Sequence, residues 1–331
     1  ENVVLASLDF STNTQLKSVR LRANGGANAA PITLIDFSEN TMLESINIYN
    51  FKLLENVIFP DTDTVIDLYL LMFNDIIVDF SGYDNLEVLT LSTNFNNTIP
   101  IIATLPSNQN TLRRVSFQGG NLVNVDISNF LALEYLSLQT TNTENIDLPV
   151  TPTLTDIRIS SHRIDAISFE NASGLTDLSI VNKQGLPPLQ LDITQNVLLE
   201  DLSAGNNYMN DIDLSQNILL DRLRLNNNEF TNVDISTNVA LEFVDISQNL
   251  LPTLNTQTNT LLETLDLEQN LLTSLNLTTN TALRNLYVTN NLLPGTDLSQ
   301  NIELQRIRAS FNEITALDIS FNDELFELTI N

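Results

Sequence analysis

Two residue words recur through the second half of this chain at one fixed spacing, and that spacing constrains the fold more than any other feature. Asp192, Asp213, Asp234, Asn255, Asn276, Asp297 and Asp318 open words related to D-[LI]-S, each 21 residues after the last. Leu202, Leu223, Val244, Leu265, Leu286, Ile307 and Leu328 open the other word at the same step. Each unit thus holds two apolar-x-apolar segments, and alternation with a period of two marks both as short strands. From Leu202 to Ile212 is 10 residues and from Ile212 to Leu223 is 11, so the unit is nearly a doubled half-unit. A unit this small cannot bury its own apolar face and must stack on its neighbours.

The upstream half keeps the same grammar with interruptions. First segments begin at Val19, Ile46, Leu68, Leu89, Val115, Leu136, Ile157 and Leu178. The 11-residue half keeps its length from Leu8 to Val19, Val78 to Leu89, Val125 to Leu136 and Leu191 to Leu202. Extra residues enter the other half, at 22–30, 92–110 and 181–190, and are expected to emerge along one edge of the stack. The reading is one solenoid over 1–331, irregular over 1–188 and strict over 189–331. Because the chain starts without Met and stops at "LFELTIN", within a repeat, it is expected to be a fragment of a longer protein.

Composition excludes several classes. The 331 residues include no Cys, which removes disulfides, thiolate metal sites and a cysteine nucleophile. A formal net charge of −27 repels nucleic acid, which is therefore not an expected partner. No apolar run approaches the ~18–20 residues that span a bilayer, so membrane insertion is not expected.

The stretch "LLDRLRLNNNEFTNVDISTN" at 219–238 fits the pattern LxxLxLxxNxL. The chain therefore resembles the leucine-rich-repeat proteins, and its nested LxxLDLSxN half is similar to the bacterial 21-residue subclass called IRREKO. The resemblance is strict over 189–331 and looser before it, where Phe51 and Phe73 stand at Asn positions. It implies a right-handed repeat solenoid used for binding, bacterial and secreted or displayed at the cell surface. With strands in both halves of each unit, the expected fold has short parallel strands on both sides of every coil and weak curvature.

Two asparagine ladders are expected inside such a stack, each amide turned inward to pair with backbone groups of the turns. Asn207, Asn228, Asn249, Asn270, Asn291 and Asn312 form one; Asn196, Asn217, Asn238, Asn259, Asn280, Asn301 and Asn322 form the other. His162 and Lys183 stand at the first ladder's slot in their units, five residues after Ile157 and Leu178, so both read as structural substitutes. No catalytic or cofactor-binding signature is present, and the chain reads as a non-enzyme without a cofactor.

Two outward columns remain. On the D-x-S side, Asp192, Asp213 and Asp234 continue a series begun by Asp9, Asp36, Asp79, Asp126 and Asp147. A solvated stripe is the default there, with weak Ca²⁺ binding between successive carboxylates as its alternative and no dedicated metal site. The other column is mixed: Arg20, Asn47, Tyr69, Thr90, Ser116, Ser137, Arg158, Ser179, Ser203, Arg224, Asp245, Asp266, Tyr287, Arg308 and Thr329. Since neither column points inward, packing is not expected to explain why one is uniform and the other varied. Arg and Tyr dominate binding hot spots, so Arg158, Arg222, Arg224, Phe243, Tyr287, Arg308, Tyr69 and Tyr135 are the expected protein-binding residues. A glycan-binding module, with Tyr49, Tyr69, Tyr135 and Tyr287 stacking on sugar rings, is the alternative. A parallel β-helix enzyme that cuts polysaccharide with paired Asp is a third.

Overall fold

The computed structural model describes residues 7–23, 31–72, 77–80, 82–93, 102–104, 110–119, 124–139 and 143–331. The chain divides into two compact units, residues 1–154 with 158–162, and residues 155–157 with 163–331. Each is a stack of parallel β coils, and the described residues contain no helix.

In the first unit the strands Ser18–Arg22, Ser45–Tyr49, Asp67–Met72, Val88–Thr93, Arg114–Gln118 and Tyr135–Gln139 pair in that order, all parallel. Their register sets Val19, Ile46, Leu68, Leu89, Val115 and Leu136 side by side, the positions that the repeat marks as segment starts. In the second unit Asp177–Val181, Asp201–Ser203, Arg222–Arg224, Phe243–Asp245, Thr264–Asp266, Asn285–Tyr287, Arg306–Arg308 and Glu327–Thr329 pair in the same way. Leu202, Leu223, Val244 and Leu265 in this register are fully buried. Each apolar side chain is covered by its counterparts in adjacent coils, so truncating one to Ala should cost ~2–5 kcal/mol.

The strand ends because the chain turns through the left-handed region at the same place in coil after coil. Asn206, Asn227, Gln248, Gln269, Asn290 and Phe311 have φ between 53° and 60°, and each immediately precedes a residue of the first ladder. Asn50, Ser161, Asn182 and Gly119 make the same corner in the irregular coils. Asn and Gly tolerate this conformation at low cost, which explains their frequency there.

Both ladders form. Asn228 accepts the backbone N–H groups of Asn207 and Met209 on Oδ1, at 2.9 and 3.0 Å, and donates from Nδ2 to the carbonyls of Ala204 and Leu225. Asn249, Asn270, Asn291 and Asn312 repeat this bridge to the preceding coil. In the second ladder Asn217 donates to the carbonyls of Ile193 and Asn196, and each later member does the same one coil on. Every second-ladder Asn also joins two consecutive turns, as in Asn217 N to Leu214 O and Leu220 N to Asn217 O.

The expectation of strands on both sides of every coil holds only as far as Asp192. There, Leu34–Asp36 pairs with Asn56–Ile58, Ile77–Asp79 with Ile102–Thr104, Asn124–Asp126 with Asn145–Asp147, and Ala166–Ser168 with Gln190–Asp192. From Asp213 onward the second side is extended chain without strand pairing. The asparagine amides, with backbone bonds just past each corner such as Leu250 N to Phe230 O, link the coils instead. In the first unit Asn40 keeps the amide at that slot, while in other coils the Tyr83 hydroxyl donates to Pro60 O at 2.7 Å and the Thr151 hydroxyl to Leu131 O at 2.9 Å.

The stretch 92–110 is corrected in part, because Ile102–Thr104 is a second-side strand with Ala103 opposite Val78. Residues 24–30, 94–101, 105–109 and Phe73 lie outside the described residues. The 181–190 stretch continues the bonding to the next coil, from Asn182 N to Gly205 O and Lys183 N to Asn206 O, before turning back to Gln190.

Candidate recognition face

In the second unit the register brings Arg224, Asp245, Asp266, Tyr287 and Arg308 into one outward column, with Arg222, Phe243, Thr264, Asn285 and Arg306 beside it. The Arg224 guanidinium lies 3.0 Å from Asp201 Oδ1 and 4.7 Å from the centre of the Phe243 ring. Arg308 donates from Nε and Nη2 to Glu327 Oε1 at 3.0 and 2.9 Å and covers Tyr287 at 5.1 Å. Arg306 sits 3.5 Å from Glu327 Oε2, donates to Asn285 Oδ1 and covers Phe326 at 4.7 Å. Cation, ring and carboxylate hold one another in place, so little side-chain freedom is left to lose on binding.

These contacts change the roles expected of the arginines. Arg224 and Arg308 are compensated within the chain. Arg222 is the freer cation, 57% exposed with its Nε 3.7 Å from Asp221 Oδ1. Two members of the face, Phe326 and Glu327, were not among the expected binding residues, although Phe326 stands 21 residues after Gln305 and Glu327 21 after Arg306. Extending the Arg306 column by one more repeat step would have found Glu327, whereas Phe326 falls in the adjoining column, one residue earlier.

In the first unit Tyr69 stacks on Tyr49, with ring centres 4.5 Å apart, and burial raises its phenol pKa above the ordinary value. Tyr135 lies between Arg114 and Arg158, at 4.3 and 5.7 Å. Ser116 and Ser137 face outward by register yet are buried, at 8% and 1% exposure. Short side chains in strands ~4.8 Å apart are overhung by longer neighbours. Those two positions cannot touch a partner directly.

The uniform column on the other side, expected as a solvated stripe that packing does not explain, has a local cause in its own turns. Oδ1 of Asp213 accepts the backbone N–H of Ser215 at 2.9 Å, Asp234 that of Ser236 at 2.9 Å, and Asp297 that of Ser299 at 3.0 Å. Asp9, Asp36, Asp126, Asp192 and Asp318 make the same bond to the residue two ahead. Asn255 and Asn276 do so without a charge. A short side-chain acceptor is what this turn requires. Hydrogen bonds from Ser215 and Ser236 hold the carboxyls of Asp213 and Asp234 below their usual range. The side chain of Asp79 lies outside the described residues.

On the varied side Asp245 and Asp266 make the same bond, to Ser247 N and Glu268 N, both at 3.0 Å. Burial, with the neighbouring Asp245 and Glu268, pushes the Asp266 carboxyl up to about 6, against the bond from Glu268 N and the charge of Arg308.

His162 is fully buried at its ladder position. Lys183 is buried too, and its ammonium donates to Ile164 O and Asp165 Oδ1, each at 2.7 Å, replacing the asparagine amide by a longer arm. Among the described residues no group of three or more His, Cys, Asp or Glu is placed to hold a metal ion, and no helix is long and apolar enough to cross a membrane.

No known protein family matches the chain, and no curated protein matches it. Solved structures do. A leucine-rich-repeat protein of Leptospira interrogans aligns with TM-score 0.70 at 16% identity, over 98% of this chain and 93% of that one. The functional domain of InlJ from Listeria monocytogenes aligns with TM-score 0.62 at 21% identity, over 92% of this chain and 64% of that one, so this chain spans less than two thirds of that domain. The InlJ domain includes a cysteine ladder, whereas this chain has no cysteine and ladders of asparagine. Toll of Drosophila, in its complex with Spatzle, aligns with TM-score 0.61 at 14% identity, over 87% of this chain and 46% of that one. The fold of this chain is the leucine-rich-repeat solenoid.

Proposed function

We propose that the chain is a non-enzymatic recognition module, of the bacterial 21-residue subclass and outside the cell or on its surface, that binds a protein partner through the varied strand face. It is read as one solenoid over 1–331. The carrying observation is the array Arg224–Phe243, Arg308–Tyr287 and Arg306–Phe326, in which rings and guanidiniums are part-exposed yet fixed by one another. Pre-ordered aromatic and Arg side chains are the groups that make strong contacts at low entropic cost. Arg158, Tyr69 and Tyr135 extend the proposal to the first unit, and Arg222 supplies the accessible charge in the second. Toll, which shares the fold, is seen holding a protein partner.

Ring occupancy favours protein over glycan on this face. Tyr49 and Tyr69 stack on each other, Arg114 and Arg158 flank Tyr135, and Arg308 covers Tyr287, so each of these rings already has a face engaged that a sugar would otherwise use. Against the polysaccharide-cutting reading, the Asp213 and Asp234 carboxyls are both held below the usual range, and neither is a proton donor at neutral pH. Hydroxyl-radical footprinting of the chain with its captured partner tests the face. Protection of Phe243 and Tyr287 is expected. Protection confined to Val197 and Ile218, on the turn edge, would refute the assignment.

A further inference from the structure

The second unit carries a cleft of about 420 Å³ away from the sheet face, between the 181–190 stretch and the corners of the next coils. Its lining includes Asn182, Gln184, Asn206, Tyr208, Asn227 and Glu229. Asn182, Asn206 and Asn227 are there because each makes the left-handed corner of its coil, which stacks their amides at the cleft rim. The Asn227 amide donates to Asn206 Oδ1, and Gln184 Nε2 donates to Asn182 O.

Tyr208 sets this cleft apart. It follows the ladder residue Asn207 and has φ 59°, a left-handed conformation that no other coil adopts at that position among the described residues. A Tyr held there is strained, and it is the strained position whose side chain lines this cleft. Tyr208 is 39% exposed and, unlike Tyr49, Tyr69, Tyr135 and Tyr287, has no ring or guanidinium stacked on it among the described residues. The Glu229 carboxylate, also exposed, has no ion-pair partner among the described residues. Lys183 borders the cleft, but its ammonium is committed to Ile164 O and Asp165.

We infer that this cleft binds a neutral saccharide unit. Small-molecule pockets are usually lined mainly by apolar side chains with a few polar groups; here amides and a carboxylate dominate, so the ligand must itself be densely polar. A hydroxyl both donates and accepts, which suits amides presenting both functions, and adjacent hydroxyls can share the Glu229 carboxylate. The exposed Tyr208 ring offers a flat apolar surface for the C–H face of a sugar. An anionic ligand finds Glu229 and no uncommitted cation. This site is independent of the protein-binding face.

The test is saturation-transfer NMR on the full chain with the methyl glycosides of glucose, galactose and mannose, with N-acetylglucosamine, with glucose 6-phosphate and with a neutral alanine tripeptide amide. At least one neutral sugar should receive saturation, and its affinity should fall about tenfold or more in Tyr208→Gly and in Glu229→Ala. Tyr208→Gly relieves the left-handed backbone, so its melting temperature should stay level or rise while binding is lost, which separates a binding role from a structural one. Transfer to no neutral sugar, transfer surviving in both variants, or stronger binding of the phosphate or the peptide than of every sugar would each overturn the inference.

Discussion

The hydroxyl of Thr256 lies 2.9 Å from Oδ1 of Asn280, the amide oxygen of the next coil's ladder residue. In the same column Oδ1 of Asn196, Asn217, Asn238, Asn259, Asn301 and Asn322 is buried without a donor. Thr256 stands where other coils place the inward Leu214, Ile235, Leu277 and Leu298, so one hydroxyl among aliphatic side chains meets an acceptor that the repeat otherwise leaves unsatisfied. Thr256→Val should therefore destabilise by about 1 kcal/mol despite its similar shape. Conversely, Ile235→Thr offers a donor to Asn259 and should cost less than Ile246→Thr, the same exchange on the other side of a coil. Chemical denaturation of the three variants checks the order.

Phe311 occupies the corner that Asn206, Asn227 and Asn290 occupy in other coils, with φ 55°. Its ring is 63% exposed, so it gains little from burial to offset a backbone conformation that disfavours bulky L-residues. Phe311→Asn is expected to stabilise by about 1 kcal/mol, and Gln248→Phe to destabilise by a similar amount. Thermal melts of both variants decide it.

Asp266 gives a pH signature with an unusual sign. Its folded carboxyl is pushed up to about 6, above the ordinary value of 3.8, so the folded state holds the proton more tightly than the unfolded state does. Stability from this group is therefore present below pH ~4 and lost as pH rises through about 6. Asp266→Asn keeps an acceptor for Glu268 N and removes the charge. It should raise the melting temperature at pH 7.5 and leave it nearly unchanged at pH 3.5. Asp213 behaves oppositely, because its lowered pKa means stability lost as the solution is acidified.

Each carboxylate of the Asp column already serves its own turn, so millimolar Ca²⁺ should raise the melting temperature no more than NaCl of equal ionic strength. A Ca²⁺-specific rise, abolished by changing Asp213 and Asp234 to Asn, would show a cation site between them.

The strand register, both ladders and the placement of Lys183 were legible because stacking repeats any inward residue at the same step, so period alone reports what faces the core. What period does not report is how a short side chain serves its own backbone. The Asp column is the exposed stripe the sequence suggested, but repetition alone does not show that Asp213 accepts the backbone N–H of Ser215 and so serves its own turn. Ser137 looked exposed because register gives direction and not what overhangs it. Equal apolar segments likewise hid the loss of strand pairing beyond Asp213, since extended chain and paired strand share one alternation. Tyr208 was passed over because a left-handed residue outside Gly and Asn leaves no mark in the sequence.

The proposed function assigns recognition of a partner to the varied strand face and none to the Asp column. Quantitative capture of a partner from the native surroundings by three immobilised forms tests it most directly: the unaltered chain, a double variant Arg222→Glu with Tyr287→Ala, and a double variant Asp213→Lys with Asp234→Lys. The account predicts that the first double variant loses at least ~2 kcal/mol of affinity, a hot-spot-sized effect, while the second keeps it. Loss in the Asp variant with retention in the Arg222 and Tyr287 variant would place recognition on the other side of the coils.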